Sequence, residues 1–120
     1  MTTNRKVLIV DDQESYRSAA RLVVELTSGF EVAGESESGE AAIGDVESIR
    51  PDVVLMDVKM PGIDGLEATR RITAAQPGIQ VIVLSTYDAS DYESSALEAG
   101  AVAFISKSEF GPESLDRALA

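Results

Sequence analysis

Short apolar runs, separated by polar segments, organise the sequence. Residues 7–10, 53–56 and 81–84 are continuous apolar runs rich in β-branched residues, which predicts strands buried on both faces, as in a parallel sheet covered by helices on each side. Residues 30–34 alternate between apolar and polar positions and predict a half-exposed edge strand. Residues 101–105 predict a fifth strand at the other edge.

Segments with helical periodicity lie between and after these strands. Apolar residues recur every three or four positions in residues 13–27, 39–49, 64–75, 89–99 and 112–120. In the first helix, the expected buried stripe is Tyr16, Ala19, Ala20, Val23 and Leu26. Five strand–helix repeats in this order predict right-handed βαβ units and an open parallel sheet with helices on both faces.

Length and composition restrict the possible functions. A chain of 120 residues is the size of one domain, assigned here to residues 1–120. Without cysteine or histidine it has no disulfides, thiolate metal sites, histidine triads or imidazole-ligated zinc. The net charge of −11 argues against nucleic acid or an anionic membrane as a direct ligand.

The length of the apolar runs bears on where the protein is found. The longest aliphatic runs have four residues, too short for a membrane span or the core of a signal peptide, so we expect a soluble, cytoplasmic protein. The last predicted helix stops at Ala120 without a cap. We therefore expect the native chain to continue as a longer protein.

The candidate chemistry lies where the strands end. Ligands of open parallel sheets bind beyond the carboxyl ends of the strands. Asp11 and Asp12 follow the first predicted strand, Asp57 the third, Ser85 the fourth and Lys107 the fifth. Each position has a plainer explanation. Asp11 and Glu14 have the spacing of a capping box, and Asp57 could simply form a turn. Ser85 could cap the following helix, and Lys107 could be an exposed lysine at the rim of the sheet.

Convergence of these groups favours a metal and phosphoryl site. Carboxylates about 4 Å apart repel by about 4 kcal/mol at an effective dielectric near 20, so three of them need a cation. Mg²⁺ prefers such oxygen ligands and also binds phosphate. An aspartate carboxylate can attack phosphorus to form an acyl phosphate, and Asp57 lies on the central run, between the Asp11–Asp12 pair and Ser85. Lys107 would neutralise phosphoryl charge.

These residues are similar to the receiver domain of bacterial two-component response regulators, over about residues 5–120. The shared pieces are the Asp11–Asp12 pair, Asp57 at the end of strand three, Met-Pro-Gly-Ile-Asp-Gly at residues 60–65, Ser85, and Lys107. The resemblance implies a flavodoxin-like (βα)5 fold with strand order 2-1-3-4-5.

The resemblance also implies functional roles. Asp57 would accept a phosphoryl group from a sensor histidine kinase. Asp11, Asp12, Asp57 and the backbone carbonyl of Lys59 would bind Mg²⁺, with Mn²⁺ as a substitute. Lys107 would contact the phosphoryl group. The domain would catalyse only its own phosphorylation and slow dephosphorylation, without turnover as an enzyme.

A conformational switch is implied as well. Ser85 and Phe104 match the switch hydroxyl and switch aromatic, which reshape the face formed by helix 4, strand 5 and helix 5. Phe104 replaces the usual tyrosine, so burial alone must drive its rotation. Ser108 follows Lys107 where many relatives have proline, and we expect a trans peptide there. Lys59 and Tyr87 occupy positions that tune phosphoryl lifetime in the family.

The output of the switch leaves alternatives open. Residues 84–87 and 99–101 are similar to regulators that couple a receiver to a C-terminal helix-turn-helix domain, which is absent from these 120 residues. Such a regulator would control transcription, with phosphorylation-dependent homodimerisation possible. A stand-alone receiver that binds a partner protein is the second hypothesis. A haloacid-dehalogenase-type phosphohydrolase is the third, disfavoured because Asp11-Asp12-Gln13 lacks the D-x-D pattern.

Overall fold

The structure is a computed structural model that describes residues 3–86 and 89–119. Strands and helices alternate along the chain. In order they are β1 (Arg5–Val10), α1 (Glu14–Leu26), β2 (Phe30–Ser36), α2 (Gly39–Ile49), β3 (Val53–Asp57), α3 (Gly65–Ala75), β4 (Gln80–Ser85), α4 (Ala89–Glu98), β5 (Ala103–Ser106) and α5 (Pro112–Ala118). A short 3-10 helix, Lys107–Glu109, joins β5 to the last connection.

The five strands form one parallel sheet in the order β2-β1-β3-β4-β5. This order confirms the predicted topology and places both predicted edge strands at the edges. Helices α2, α3 and α4 pack on one face of the sheet, and α1 and α5 pack on the other. The carboxyl ends of β1, β3, β4 and β5 consequently share one edge.

The central strands are apolar at every position because each successive side chain enters a different layer of the core. In β1, Val7 and Ile9 pack against the α1–α5 side, and Leu8 and Val10 pack against the opposite side. All four side chains are at most 1% exposed. Burial of an aliphatic side chain of this size contributes about 1.5–3 kcal/mol. The strand positions are therefore strongly determined by the hydrophobic effect.

The buried stripe of α1 differs from the predicted one. Ala20 and Val24 are the buried residues of this helix, whereas Ala19 is exposed and Leu26 is 67% exposed. The helix has one buried residue per turn where it crosses the sheet, and Leu26 lies on its last turn, outside that line of contact. Periodicity alone did not distinguish Val24 from its neighbour Val23, which is half-buried.

Local signals mark several of the helix ends. Asp64 precedes α3 and accepts a hydrogen bond from the backbone N–H of Glu67 at 2.8 Å, and Ser38 does the same for Ala41 before α2. The predicted bounds of α1, α3, α4 and α5 differ from the observed ones by one or two residues. The peptide between Lys107 and Ser108 is trans, as predicted. None of the helices in the described part of the chain is long and apolar enough to cross a membrane.

Candidate functional site

Three aspartates and one lysine meet at the carboxyl edge of the sheet. Carboxylate oxygens of Asp11, Asp12 and Asp57 all lie within 4.8 Å of one another. The Lys107 ammonium lies 2.6 Å from Oδ2 of Asp11 and 3.2 Å from Oδ1 of Asp57. The four side chains that sequence analysis assigned to one site therefore do share it.

Parallel pairing explains how distant parts of the chain meet here. Val10 of β1 is in register with Met56 of β3, so Asp11 and Asp57 each stand one residue further along neighbouring strands. On the other side of β3, Leu84 of β4 is in register with Asp57. Lys107 follows the last residue of β5, and its long side chain crosses the end of β4 to reach both carboxylates.

The two innermost carboxylates are largely removed from water. Asp11 is 1% exposed and Asp57 is 9% exposed, whereas Asp12 is exposed. Burial raises the pKa of Asp57, because it disfavours the charged form, and the charge of Asp11 raises it further. The Lys107 ammonium opposes both effects without cancelling them. The protein groups at this site therefore supply less positive charge than the three carboxylates require.

The capping-box reading of Asp11 and Glu14 is wrong. Gln13 is the residue that precedes α1, and its side chain makes no capping hydrogen bond. Asp11 instead accepts a hydrogen bond from the backbone N–H of Gln13 at 2.8 Å through Oδ1, while Oδ2 contacts Lys107. One oxygen thus holds the loop after β1 and the other faces the site.

The loop after β3 is packed tightly against Asp57. The backbone N–H of Val58 donates to Oδ1 of Asp57 at 3.0 Å, and the N–H of Gly65 donates to the carbonyl of Val58 at 2.7 Å. A Cβ atom on Gly65 would lie 1.8 Å from the backbone oxygen of Asp57. Glycine is required at this position because the start of α3 approaches the strand end so closely.

The donor set fits a magnesium ion. Oxygen ligands in an octahedral Mg²⁺ shell lie about 3–4 Å apart, given metal–oxygen distances of about 2.0–2.1 Å. The three aspartate carboxylates are already grouped near that spacing. Beside them is a cleft of about 150 Å³, whose lining includes Gln13, Lys59 and Thr86. The small polar cleft suits a hydrated cation with a phosphate-sized anion better than a larger organic ligand.

The predicted switch residues lie next to this cluster. Ser85 is the last residue of β4 and is 1% exposed, paired in register with Ser106 of β5. Phe104 is half-buried on β5, opposite Val83, and packs against the α2–α4 side of the core. Their placement is compatible with the predicted roles, which remain predictions. Tyr87 lies outside the described residues.

Sequence reasoning missed the contribution of α1 to the site. The guanidinium of Arg17 donates from Nη1 to the backbone carbonyl of Asp11 at 2.8 Å and from Nε to Glu35 at 3.1 Å. Tyr16, predicted only as a core residue, lies with its ring centroid 4.2 Å from the Lys107 ammonium. A signal was present for Tyr16, because a polar aromatic residue one turn after an acidic pair can face the same edge. No pattern in the sequence indicated the Arg17 contact.

Comparison with known proteins assigns this architecture to a class. Residues 7–120 match the response regulator receiver domain family, and the chain belongs to that family. Among curated proteins it is similar to response regulator GacA of Pseudomonas syringae pv. syringae (strain B728a), with 39% identity over 102 residues, covering 85% of this chain and 48% of GacA. It is also similar to response regulator UvrY of Escherichia coli (strain K12), with 40% identity covering 84% of this chain and 46% of UvrY.

Solved structures support the same assignment. A LuxR-family two-component response regulator from Aurantimonas sp. SI85-9A1 superimposes with a TM-score of 0.88 at 28% identity, covering 98% of this chain and 83% of that one. The response regulator domain of Thermotoga maritima CheB gives a TM-score of 0.85 at 30% identity, covering 97% of this chain and 94% of that one. The chain spans about half the length of the curated relatives it matches.

Proposed function

We propose that this receiver domain is a phosphorylation switch in which Asp57 accepts the phosphoryl group. The observation that carries the proposal is the grouping of three carboxylates within 4.8 Å, two of them in contact with one lysine ammonium. Such a cluster is unfavourable in isolation and becomes favourable when a divalent cation and a phosphoryl group enter it. The family assignment supports the same reading.

The side chains divide the chemistry among them. A carboxylate oxygen of Asp57 attacks phosphorus, and the new O–P bond makes an acyl phosphate. The bond between phosphorus and the donor breaks, and its electron pair leaves with the donor group. Lys107 already lies 3.2 Å from Oδ1 of Asp57 and contacts a phosphoryl oxygen after transfer. Hydrolysis of the acyl phosphate by water resets the switch. The only reactions that we propose for the domain are therefore its own phosphorylation and its own dephosphorylation.

The metal is held by the acidic residues and the loop after β3. Asp11, Asp12, Asp57 and the backbone carbonyl of Lys59 are the proposed ligands. Mg²⁺, when bound, neutralises charge on the phosphoryl oxygens and on the carboxylates. Exposed Asp12 lies on the solvent side of the cluster, where a cation that keeps several waters would be accommodated.

The donor and the output are proposed by analogy with the relatives. The donor is the phosphohistidine of a sensor histidine kinase. Among the relatives is the transcriptional regulatory protein DegU of Brevibacillus brevis, and one structural neighbour is a DNA-binding response regulator of the LuxR family from Staphylococcus aureus. We therefore propose that the protein controls transcription through a DNA-binding part outside these residues. On phosphorylation, Ser85 and Phe104 alter the face formed by α4, β5 and α5. The altered face allows a phosphorylation-dependent homodimer to form.

Labelling with a small phosphodonor tests the acceptor. The wild type, incubated with Mg²⁺ and an acyl-phosphate donor, should gain one phosphoryl group by mass spectrometry, and Asp57→Asn should gain none. Asp116→Asn, which changes an exposed aspartate on α5, is the matched control and should label like the wild type. Labelling of Asp57→Asn at the wild-type rate would refute the assignment of the acceptor.

Metal binding and the switch have separate tests. Asp12→Ala should weaken Mg²⁺ binding measured by calorimetry and slow labelling, and unchanged affinity would remove Asp12 from the metal site.

Phe104→Ala should label normally but lose any phosphorylation-dependent change in self-association. A normal phosphorylation-dependent dimer in Phe104→Ala would remove that ring from the mechanism.

A further inference from the structure

Lys107 needs a constraint beyond its ion pairs. Its side chain has a flexible four-carbon stem and a compact, strongly hydrated charge. The ammonium contacts one oxygen of Asp11 and one of Asp57, yet both carboxylates are proposed metal ligands whose charge the metal would draw away. A lysine held only by these two groups would be weakly restrained after the metal binds and before it contacts a phosphoryl oxygen.

The ring of Tyr16 supplies a third contact that no metal competes for. Tyr16 lies on the first turn of α1, on the side of the sheet where α1 packs, and its ring centroid is 4.2 Å from Nζ of Lys107. An ammonium within about 6 Å of a ring centroid is attracted by the π face, and the attraction grows when the pair is removed from water. The Lys107 side chain is only 10% exposed, so this pair is shielded.

The phenol acts here through its face and not through ionisation. Burial, together with the nearby charges of Asp11 and Asp57, raises the pKa of Tyr16 to about 12, so the ring is neutral at physiological pH. A neutral ring adds no charge to a site that already has three carboxylates. Its contribution is directional, because the favourable position of the cation is above the ring plane.

We propose that Tyr16 is a positioning residue that keeps the Lys107 ammonium over the site throughout phosphoryl transfer. This inference rests on the proposed function of Asp57 as phosphoryl acceptor. It assigns to α1 a role in the chemistry that is carried by aromatic character at position 16, and it predicts that the hydroxyl of Tyr16 is dispensable.

Variants at position 16 separate the ring from the hydroxyl. Tyr16→Phe keeps the π face, whereas Tyr16→Leu and Tyr16→Met keep apolar packing without it. With Mg²⁺ and an acyl-phosphate donor, Tyr16→Phe should label within about twofold of the wild type, and Tyr16→Leu and Tyr16→Met about five- to tenfold more slowly. Phe30→Leu removes a ring from the same hydrophobic cluster at the opposite edge of the sheet, and should label normally.

A spectroscopic measurement reports position independently of labelling. The ε-methylene protons of Lys107 should be shifted upfield by the ring current, relative to the exposed Lys6 and Lys59, in the wild type and in Tyr16→Phe. The shift should vanish in Tyr16→Leu and Tyr16→Met. If these variants fold poorly, fluorinated phenylalanines at position 16 weaken the π face at nearly constant volume, and labelling should slow with each added fluorine.

The outcomes distinguish this inference from the proposed function. Wild-type labelling in Tyr16→Leu or Tyr16→Met, or equal loss in Tyr16→Phe and Tyr16→Leu, would overturn the role of the ring. Coincident methylene shifts for all lysines of the wild type would overturn the contact itself. If the wild type takes no label, the acceptor proposal fails, while the Lys107 methylene shifts still decide whether Tyr16 positions the lysine.

Discussion

The interior of the sheet and the innermost part of its carboxyl edge are equally buried but opposite in energetic character. Val10 and Asp11 are adjacent residues, each 1% exposed. Burial of Val10 is favourable by itself, whereas burial of Asp11 needs the Gln13 N–H, the Lys107 ammonium and the backbone contact from Arg17. The interior therefore stabilises the fold, and the edge uses part of that stability to hold charges close together.

The largest effect is expected from a cavity in the interior. Leu55 lies in the central strand β3 and is 1% exposed, so Leu55→Ala should lower the free energy of unfolding by about 3 kcal/mol, measured by urea denaturation. Leu26→Ala is the control at a 67% exposed leucine and should cost less than about 0.5 kcal/mol. Similar losses in both variants would contradict the assignment of the core.

A smaller loss is expected where the edge packs against backbone. Gly65→Ala places a methyl group 1.8 Å from the carbonyl oxygen of Asp57 and should destabilise the domain by about 2 kcal/mol while slowing phosphoryl labelling. Gly44→Ala in the middle of α2 meets nothing within 4 Å and should stabilise by about 0.5–1 kcal/mol. An unchanged free energy of unfolding in Gly65→Ala would contradict the close approach of α3 to the carbonyl of Asp57.

Removing a charge from the carboxyl edge should raise the free energy of unfolding, whereas Leu55→Ala and Gly65→Ala lower it. Because burial raises the pKa of Asp57 above the ordinary 3.8, the native state binds its proton more tightly than the unfolded state does. Ionisation of Asp57 therefore costs stability as pH rises from 3.8 through the native pKa, and the cost is fully present above it. Asp57→Asn should therefore have a higher free energy of unfolding than the wild type at pH 7 without metal.

Two controls sharpen this prediction. The advantage of Asp57→Asn should shrink towards acid, where the wild-type carboxyl is protonated in both states, and it should shrink in Mg²⁺, which stabilises the wild type by binding its native state. Urea denaturation at several pH values, with and without Mg²⁺, measures both trends. A difference between the two proteins that is independent of pH would show that charge at Asp57 is not its cause.

The smallest effect comes from a polar group inside the apolar interior. Thr69 on α3 is 0% exposed, and within the described residues its hydroxyl has no hydrogen-bond partner. Thr69→Val should raise the free energy of unfolding by about 1 kcal/mol or less, because it removes an unsatisfied buried group at similar volume. Thr73→Val should instead destabilise, since that hydroxyl donates to the carbonyl of Ala99 at 3.0 Å. Destabilisation by Thr69→Val would indicate a bridging water.

Sequence reasoning succeeded where one residue type has one favourable environment. The continuous apolar runs predicted β1, β3 and β4 because side chains alternate between two covered faces, and Gly100 marked the end of α4 with a φ of 108°. It was weaker for the helix stripes, because a helix that crosses a twisted sheet contacts it along a narrow line. On α4, for example, Ala96 is fully buried, whereas its neighbour Leu97 is 49% exposed.

For the site, acidic and basic residues at strand ends were sufficient to predict which side chains meet, since parallel strands align their carboxyl ends. The supporting contacts were not predictable in this way. Arg17 contacts the backbone carbonyl of Asp11, and Gly65 lies against the backbone carbonyl of Asp57. Every residue has such a carbonyl. A sequence pattern carries no information about which carbonyl a distant side chain will reach.

The order of apolar and charged residues by itself determined the strands, the parallel sheet and the edge that carries the chemistry, because burial of hydrophobic surface and the direction of the chain leave few alternatives. Only the tertiary structure decided that Lys107 bridges Asp11 and Asp57 and that the ring of Tyr16 faces its ammonium. These are contacts of a few ångströms between remote segments, and they depend on helix rotation and side-chain direction, which hydrophobic periodicity leaves open.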